Sequence, residues 1–401
     1  MELLSQRVLQ MSESETLAMT RIARELKSQG KDVISLSIGE PDFNTPEVIK
    51  NAAKKAIDEN WTHYPPVPGY ADLREAVCQK LKRDNGLSFS PEQIVVSTGA
   101  KQSIYQLVMA TVNPGDEVII LTPYWVSYKE IVKVAQGKCV FVKTTIENDF
   151  KATAQQIEDA ITDKTKLIMF SSPSNPTGML YSKSELEAMA NVISKYPYIW
   201  VMADEIYEHI NFEGKHESLA QFENVKNQVI TVNGVAKGYA MTGWRIGYIA
   251  APLLLAKACD KLQGQITSAT CSIAQRAALE AMLLDPTVSE DIINMRNIFQ
   301  QRRDLVFNLL KDIPDIKVTL PQGAFYFFPD VSAYFGKKYG DYNILNSNDL
   351  CTYLLYEANV ALVAGTAFGD DNCIRFSYAT DTQLLKEAIR RIKEALGKLN
   401  F

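Results

Sequence analysis

Two cationic residues near the middle of the chain have sequence surroundings suited to chemistry. Lys237 lies among small and apolar residues in segment 233–238, where burial would lower its pKa and leave a nucleophilic amine. Arg245 follows a few positions later, and a fixed guanidinium can hold a phosphate through two hydrogen bonds. Taken singly, the two residues are better explained as a surface lysine and a structural arginine.

Polar residues also follow two apolar segments. Asp204 ends an apolar run and is costly to bury without a partner, so a pyridinium nitrogen would suit it; the alternative is a helix N-cap. Tyr207 comes shortly after it. Asn175 lies in a turn-forming segment, 174–178, where it offers an amide donor or simply forms the turn.

The remaining candidates follow two further apolar segments. Gly99, Ala100 and Lys101 open a helix, and small residues at a helix N-terminus allow backbone N–H groups to bind an anion. Trp125 offers a flat face for stacking, although an isolated tryptophan is more often a core residue. Each signal is weak alone. Together and in this order, they describe one planar, phosphorylated, pyridine-containing ligand.

Short Val- and Ile-rich segments separated by helical periods must position these residues. This alternation predicts an α/β fold with a mostly parallel sheet flanked by helices, and ligands of such sheets bind at the carboxyl ends of the strands. The predicted strands are 94–98, 117–121, 139–143, 166–172, 199–204, 229–233 and 246–251, and the predicted helices between them include 101–112, 154–161 and 184–195.

The pattern changes after residue 272 and predicts a smaller α+β domain. Its predicted elements are a helix at 288–311, strands at 317–320 and 324–328, a helix at 348–357, strands at 361–363 and 374–378, and a helix at 382–399. A further helix at 16–28 could pack on either domain. We predict a large domain over residues 45–285 and a small domain over 1–44 and 286–401.

Composition excludes several classes of protein. The net charge is −5 and no long basic run occurs, which argues against nucleic-acid binding. No 18-residue apolar stretch predicts a membrane span, and the polar N-terminus lacks the apolar core of a signal peptide. The six scattered cysteines favour reduced thiols in a cytoplasmic protein, and with three histidines we expect no metal site.

Many short motifs, in order along nearly the whole chain, resemble the class I aminotransferases of pyridoxal phosphate (PLP) fold type I, in particular the bacterial aspartate aminotransferases. The resemblance implies a seven-stranded, mostly parallel sheet in the large domain. The matching segments are residues 37–43, 64–69, 99–102, 123–128, 173–178, 204–208, 233–247, 323–326 and 374–380.

The resemblance implies a role for each cofactor-binding candidate. Lys237 would form the Schiff base with PLP and then move the substrate α-proton. Asp204 would pair with the pyridine nitrogen, Asn175 and Tyr207 would hold the phenolic oxygen, and Trp125 would stack on the ring. These roles belong to a ping-pong reaction of two half-reactions.

The phosphate site follows from the same resemblance. The backbone of Ala100 and Lys101 would hold the phosphate together with Arg245, and Tyr64 would reach the phosphate of the neighbouring subunit. The expected active unit is therefore a homodimer with shared active sites. Some relatives carry a phosphate-binding serine where this chain has Gly234, so that contact is lost or supplied elsewhere.

Substrate recognition is also implied by the resemblance. Arg375 would bind the α-carboxylate with help from the backbone N–H of Gly39. We hypothesise that Lys101, with Ser14 or Thr16, binds the side-chain carboxylate of aspartate or glutamate. The expected reaction transfers the amino group of L-aspartate to 2-oxoglutarate, giving oxaloacetate and L-glutamate. A lysine discriminates less sharply than a bidentate arginine, so a prephenate or aromatic amino acid aminotransferase is the alternative.

Other activities occur on the same scaffold. A β-lyase would release ammonia without an oxo-acid acceptor. A ligand sensor fused to a DNA-binding module would need residues before the motif at 37–43, where too few remain. A catalytically inactive scaffold would lack Lys237, Asp204 or Arg375, and all three are present.

Overall fold

The computed structural model describes residues 3–401 and contains one large and several small sheets. The strands are β1 (Ile34–Ser35), β2 (Ile94–Ser97), β3 (Glu117–Leu121), β4 (Lys138–Val142), β5 (Thr165–Ser171), β6 (Trp200–Asp204), β7 (Val229–Gly234), β8 (Gly247–Ala250), β9 (Tyr326–Phe327), β10 (Lys338–Tyr339), β11 (Tyr342–Asn343), β12 (Val360–Ala361), β13 (Val363–Ala364) and β14 (Ile374–Ser377).

Helices cover both faces of the large sheet and surround the small ones. They are α1 (Gln6–Leu9), α2 (Glu15–Ser28), α3 (Glu47–Asp58), α4 (Ala71–Lys80), α5 (Ala100–Thr111), α6 (Ser127–Val134), α7 (Ala154–Asp159), α8 (Lys183–Ile193), α9 (Leu253–Ile266), α10 (Ser272–Leu283), α11 (Glu290–Lys311), α12 (Ser347–Glu357) and α13 (Thr382–Leu396). No helix among residues 3–401 is long and apolar enough to cross a membrane.

The central sheet has seven strands in the order β2-β8-β7-β6-β5-β3-β4. Only β8 runs antiparallel to its neighbours, so the predicted mostly parallel sheet is confirmed. All seven predicted strands are present, and no bound is shifted by more than one residue. The prediction succeeds because strands buried on both faces are almost continuously apolar.

Two apolar layers enclose this sheet because successive strand residues point to opposite faces. In β2, Ile94 and Val96 pack with α3, α4, α8 and α10, whereas Val95 packs with α5, α6 and α9. The strand ends that carry polar residues therefore emerge from a rigid, close-packed support. This rigidity matters for any chemistry at the carboxyl edge of the sheet.

A third core joins the C-terminal elements. The antiparallel strands β13, β14 and β9 pack with α11, α12 and α13, and the buried residues of this core include Phe299, Phe325, Leu354 and Ile389. The helix predicted at 16–28 is α2, which packs through Ala23 against this part of the chain. The domain bounds at residues 45 and 285 stay a prediction.

Two predictions for the C-terminal part need correction. The strand predicted at 317–320 is wrong: the segment forms only one bridge, between Lys317 and Asp330. Pro321 ends this segment and offers no N–H for a ladder. The strand predicted at 361–363 is divided into β12 and β13, which pair with different partners, β1 and β14.

Candidate active site

A cavity of about 460 Å³ lies at the carboxyl ends of the central strands, where the C-terminal elements meet the sheet. Every residue predicted for the site lines this cavity except Tyr64. The lining residues predicted from the sequence are Ser14, Thr16, Gly39, Ala100, Lys101, Trp125, Asn175, Asp204, Tyr207, Lys237, Arg245 and Arg375. Residues far apart in the sequence thus come together because the strands they follow end at one edge.

Lys237 follows β7 and places its amine in the cavity. Its Nζ donates a hydrogen bond to the carbonyl oxygen of Gly39 at 2.5 Å. Burial, helped by the nearby guanidinium groups of Arg375 and Arg245 and opposed by Glu40, lowers the Lys237 pKa to about 8. A lower pKa leaves more of the amine neutral near pH 7, which suits a nucleophile or a base.

Asp204 ends β6 with a buried carboxylate. The hydroxyl of Tyr128 donates to its Oδ2 at 2.7 Å, and the backbone N–H of Ile206 donates to Oδ1 at 3.3 Å. Burial raises the Asp204 pKa to about 6, although both donors lower it. Among residues 3–401 this carboxylate forms no ion pair with a lysine, arginine or histidine. A protonated ring nitrogen would supply the missing partner.

The N-terminus of α5 and the Arg245 side chain form an anion site. Gly99, the N-cap residue, has φ +79°, and a Cβ there would collide with the guanidinium of Arg245. Arg245 is held by a hydrogen bond from Nη1 to the carbonyl oxygen of Thr242 at 2.8 Å. The first N–H groups of α5, its helix dipole and a guanidinium therefore lie side by side in the cavity wall, an arrangement suited to a phosphate.

Arg375, on β14, is another cationic residue in the wall of the cavity. Its Nη1 donates to Oδ1 of Asn175 at 3.1 Å and its Nη2 to the carbonyl oxygen of Ser37 at 2.5 Å. The Nε atom is buried without a hydrogen-bond partner. Because no carboxylate of residues 3–401 pairs with this buried cation, a bound anion would complete it.

Lys101, Trp125 and the start of α2 line another part of the cavity. The Nζ of Lys101 lies 4.9 Å from the centre of the Trp125 ring, and burial lowers the Lys101 pKa, with a further contribution from Arg245. Ser14 is the N-cap of α2, and the Thr16 hydroxyl is buried without a partner. This region therefore offers a cation and two hydroxyls to a second anionic group.

Two tyrosines of the site were not assigned a role from the sequence. Tyr128 donates to Asp204, and Tyr326 on β9 lies with its hydroxyl 2.8 Å from that of Tyr207. Both belong to motifs that carry the family resemblance, but neither ends a strand of the large sheet. The signal available for Tyr128 was its position on α6, shortly after Trp125. Nothing local distinguishes Tyr326 from a core tyrosine.

Two positions remain: Tyr64, the predicted site residue outside the cavity, and Gly234, where some relatives carry a serine. Tyr64 is 97% exposed and lies outside the cavity, so its predicted contact with a neighbouring subunit stays a prediction. A Cβ at Gly234 would lie 2.7 Å from the carbonyl oxygen of Ile246 and 2.8 Å from Cα of Gly247. Backbone packing between β7 and β8 therefore leaves no room for a serine there.

A second group of buried titratable residues follows β6. Glu208 forms an ion pair with Lys80, and Nε2 of His216 lies 3.1 Å from Oε2 of Glu205. Ligand atoms of Glu205, Glu208 and His216 lie within 4.8 Å of one another, a spacing that a metal ion could use. The two ion pairs already balance the charge, so we assign this group a structural role.

Comparisons with known proteins agree with this geometry. A family model described as aminotransferase class I and II matches residues 31–392. An aspartate/prephenate aminotransferase of Cereibacter sphaeroides is 46% identical over 396 residues, with 98% of each chain covered. An aspartate aminotransferase of Pinus pinaster is 43% identical over 98% of this chain and 80% of the relative.

Solved structures are similar over the whole length. The aspartate aminotransferase of Rhizobium meliloti superposes with a TM-score of 0.95 at 41% identity, and all of both chains is covered. The aspartate aminotransferase of Thermus thermophilus, solved with maleate, has a TM-score of 0.92 at 40% identity and covers 98% of this chain and 100% of that chain. Sequence and fold thus point to the same relatives.

Proposed function

We infer the activity of this protein from its family, because the chain belongs to the class I and II aminotransferases. The protein is an aspartate aminotransferase of fold type I, as the motifs at its strand ends predicted. It transfers the amino group of L-aspartate to 2-oxoglutarate and yields oxaloacetate and L-glutamate. The observation that carries this inference is one cavity that holds an amine, an anion site at Arg245, and two cationic regions for substrate, at Arg375 and at Lys101.

We propose PLP as the cofactor, and the donor set of the cavity fits it. The anion site at α5 and Arg245 would hold the phosphate, Asp204 the ring nitrogen, and Asn175 and Tyr207 the phenolic oxygen. When bound, the protonated ring supplies an electron sink next to the substrate α-carbon. The unpaired Asp204 carboxylate is the structural observation that supports this assignment, because an opposite charge would stabilise its ionised form.

The chain's own residues bind the substrate and move its proton. Arg375 would bind the α-carboxylate, since its guanidinium is buried among polar partners but lacks a counter-ion. Lys237 would accept the α-proton, because burial holds its pKa near 8 and keeps part of the amine neutral. Gly39, whose backbone N–H would assist Arg375, also lines the cavity, and its carbonyl oxygen accepts the hydrogen bond from the Lys237 amine.

Specificity for a dicarboxylic substrate would come from the second cationic region. We propose that Lys101, with Ser14 or Thr16, binds the distal carboxylate of aspartate or glutamate. The unpartnered, buried hydroxyl of Thr16 supports this proposal, because a buried donor without a partner is costly. A lysine also discriminates less sharply than a bidentate arginine, so a larger acidic substrate is compatible with the same region.

Prephenate is the second candidate substrate. The relative from Cereibacter sphaeroides is named for both aspartate and prephenate. Prephenate carries a carboxylate beyond its oxo-acid group, so Lys101 could serve both substrates with one ammonium. We also propose that the active unit is a homodimer, to which the exposed Tyr64 would contribute. A cytoplasmic location stays a prediction.

The decisive experiment follows the absorbance of the purified protein loaded with PLP. The band of the bound cofactor should bleach on addition of aspartate and should bleach much more slowly with alanine at the same concentration. Bleaching by alanine or tyrosine alone would contradict the substrate assignment, and no bound cofactor would contradict the PLP assignment. Steady-state rates with aspartate, prephenate and aromatic partners then rank the substrates, and ammonia release without an acceptor would indicate a lyase.

A further inference from the structure

Tyr326 connects the C-terminal elements to a tyrosine that follows a strand of the central sheet. It lies on β9 in the C-terminal core and is 1% exposed. Its hydroxyl oxygen lies 2.8 Å from that of Tyr207, which follows β6 of the central sheet. The two rings also pack edge to face with their centres 5.8 Å apart. The contact therefore bridges the sheet and the C-terminal elements inside the cavity.

The ring of Tyr326 carries a second contact, to the guanidinium of Arg375. The Cζ atom of Arg375 lies 4.7 Å from the centre of the Tyr326 ring, within the range of a cation–π interaction. This interaction supports a guanidinium that has no carboxylate partner among residues 3–401. The Tyr326 ring thus helps to hold Arg375 where a substrate carboxylate would bind it.

A third contact fixes the hydroxyl of Tyr326 against Gly39. A Cβ at Gly39 would collide with that hydroxyl, so only glycine leaves room for it. The carbonyl of the same glycine accepts the hydrogen bond from Lys237. Tyr326 therefore contacts three residues with different roles: Tyr207, which would hold the cofactor, Arg375, which would bind the substrate carboxylate, and Gly39, which binds the amine of Lys237.

The direction of the tyrosine–tyrosine hydrogen bond follows from proton counting. A phenol has a single proton, and in the protein alone either hydroxyl can donate. If Tyr207 donates its hydrogen bond to the phenolic oxygen of the cofactor, its proton is used there, so Tyr326 must be the donor in the hydrogen bond between the two tyrosines. A donor to the oxygen of Tyr207 strengthens the hydrogen bond that Tyr207 itself donates, because hydrogen bonds in a chain polarise one another.

We propose that Tyr326 is a positioning residue that supports Arg375 with its ring and strengthens the donation from Tyr207 to the cofactor with its hydroxyl. This inference rests on the proposed function, which assigns Tyr207 to the phenolic oxygen and Arg375 to the α-carboxylate. Two separate properties of one side chain should then affect two separate measurements. Removing the hydroxyl should change the pKa of the bound cofactor, and removing the ring should also weaken the binding of a carboxylate.

The first test uses Tyr326→Phe in the PLP-loaded protein. A hydrogen bond to the phenolic oxygen favours the unprotonated form of the bound chromophore, so its loss raises the apparent pKa of that chromophore. We expect a rise of about 0.3 to 1 pH unit in an absorbance titration, since only an indirect hydrogen bond is weakened. Tyr353→Phe is the matched control, because it removes a buried hydroxyl that donates to Ala395 in the same core.

The second test measures the binding of maleate, a dicarboxylate without an amino group, by spectral titration of each PLP-loaded variant. Tyr326→Phe keeps the aromatic face and should bind maleate within about twofold of the unchanged protein. Tyr326→Leu removes that face and should weaken binding about 3- to 30-fold, the range of a cation–π contact. Gly39→Ala, which displaces the hydroxyl, should raise the chromophore pKa in the same direction as Tyr326→Phe.

The outcomes separate this proposal from the proposed function. If the unchanged protein binds PLP and reacts with aspartate, but Tyr326→Phe titrates like Tyr353→Phe, the hydroxyl role is wrong. If Tyr326→Leu folds and binds maleate like the unchanged protein, the ring role is wrong. Should Tyr326→Leu fail to fold, the titration of Tyr326→Phe decides. If the unchanged protein neither binds PLP nor reacts with aspartate, the proposed function itself fails.

Discussion

Replacement of Lys101 by alanine tests how this enzyme selects acidic substrates. The variant removes the ammonium that lies 4.9 Å from the Trp125 ring centre and leaves Arg375, the proposed α-carboxylate site, unchanged. Because both residues line one cavity, the substrate can contact them at its two ends. Aspartate should therefore lose reactivity, whereas alanine, which has no distal carboxylate, should not.

The size of the effect follows from the type of contact. A hydrogen bond to a charged group contributes about 1.5–3 kcal/mol, which corresponds to roughly 10- to 150-fold in a rate or binding constant. Although partial burial of its ammonium lowers the Lys101 pKa, much of the side chain is open to solvent, so water weakens the pair and the lower part of the range applies. We expect a loss of about 10- to 40-fold for aspartate.

The assay must isolate the first half-reaction, because 2-oxoglutarate also carries a distal carboxylate. Rapid mixing of the PLP-loaded protein with aspartate or alanine, without an acceptor, gives the apparent second-order rate constant from the change in absorbance. Lys257→Ala, an exposed lysine on α9 outside the cavity, is the control. An equal loss for aspartate and alanine, or no loss for aspartate, would refute the assignment of Lys101 to the distal carboxylate.

Three further predictions concern the other charged groups. Arg375→Lys cannot form the two parallel hydrogen bonds to a carboxylate, so kcat/KM should fall by about 100-fold or more for aspartate and alanine alike, measured by the same assay. Tyr128→Phe removes the donor to Asp204, so the Asp204 pKa should rise above about 6 and PLP affinity at neutral pH should fall about 3- to 10-fold, measured by titration of the cofactor-free protein. Burial lowers the Lys237 pKa from 10.5 to about 8, so between these pH values the unfolded chain binds more protons than the folded protein. The cofactor-free protein should therefore gain stability relative to Lys237→Met as the pH rises from about 8 to 10. A difference in thermal denaturation temperature that stays constant over this range would contradict the prediction.

The accuracy of the sequence-based predictions followed how local each signal was. The seven strands of the large sheet were predicted because each is a short, buried, apolar run. Cavity residues such as Ala100, Asn175 and Asp204 followed because they end such a run or come shortly after it, whereas Gly39, Arg375, Ser14 and Thr16 were assigned only through the family resemblance. The strand predicted at 317–320 was wrong for the opposite reason. Its apolar residues are few, Pro321 closes the segment, and pairing depends on partners distant in the chain.

Two glycine positions also depend on partners that are distant in the chain. The motif around Gly99 indicated an anion site, but the sequence could not show that its missing side chain makes room for Arg245. The absence of a serine at Gly234 was recognised as a departure from some relatives. Its cause, the close approach of the backbone at Ile246 and Gly247, depends on how β7 and β8 pair.

The sequence by itself determined the type of sheet, the order of the polar strand ends and the family to which they belong. These properties depend on periodicity and on motifs that lie within a few residues of one another. Only the tertiary structure decided which groups act on each other: the donation from Tyr128 to Asp204, the unpaired guanidinium of Arg375 and the bridge through Tyr326. Such contacts join residues that are distant in the chain, and burial and charge at each of them depend on the packing of both cores at once.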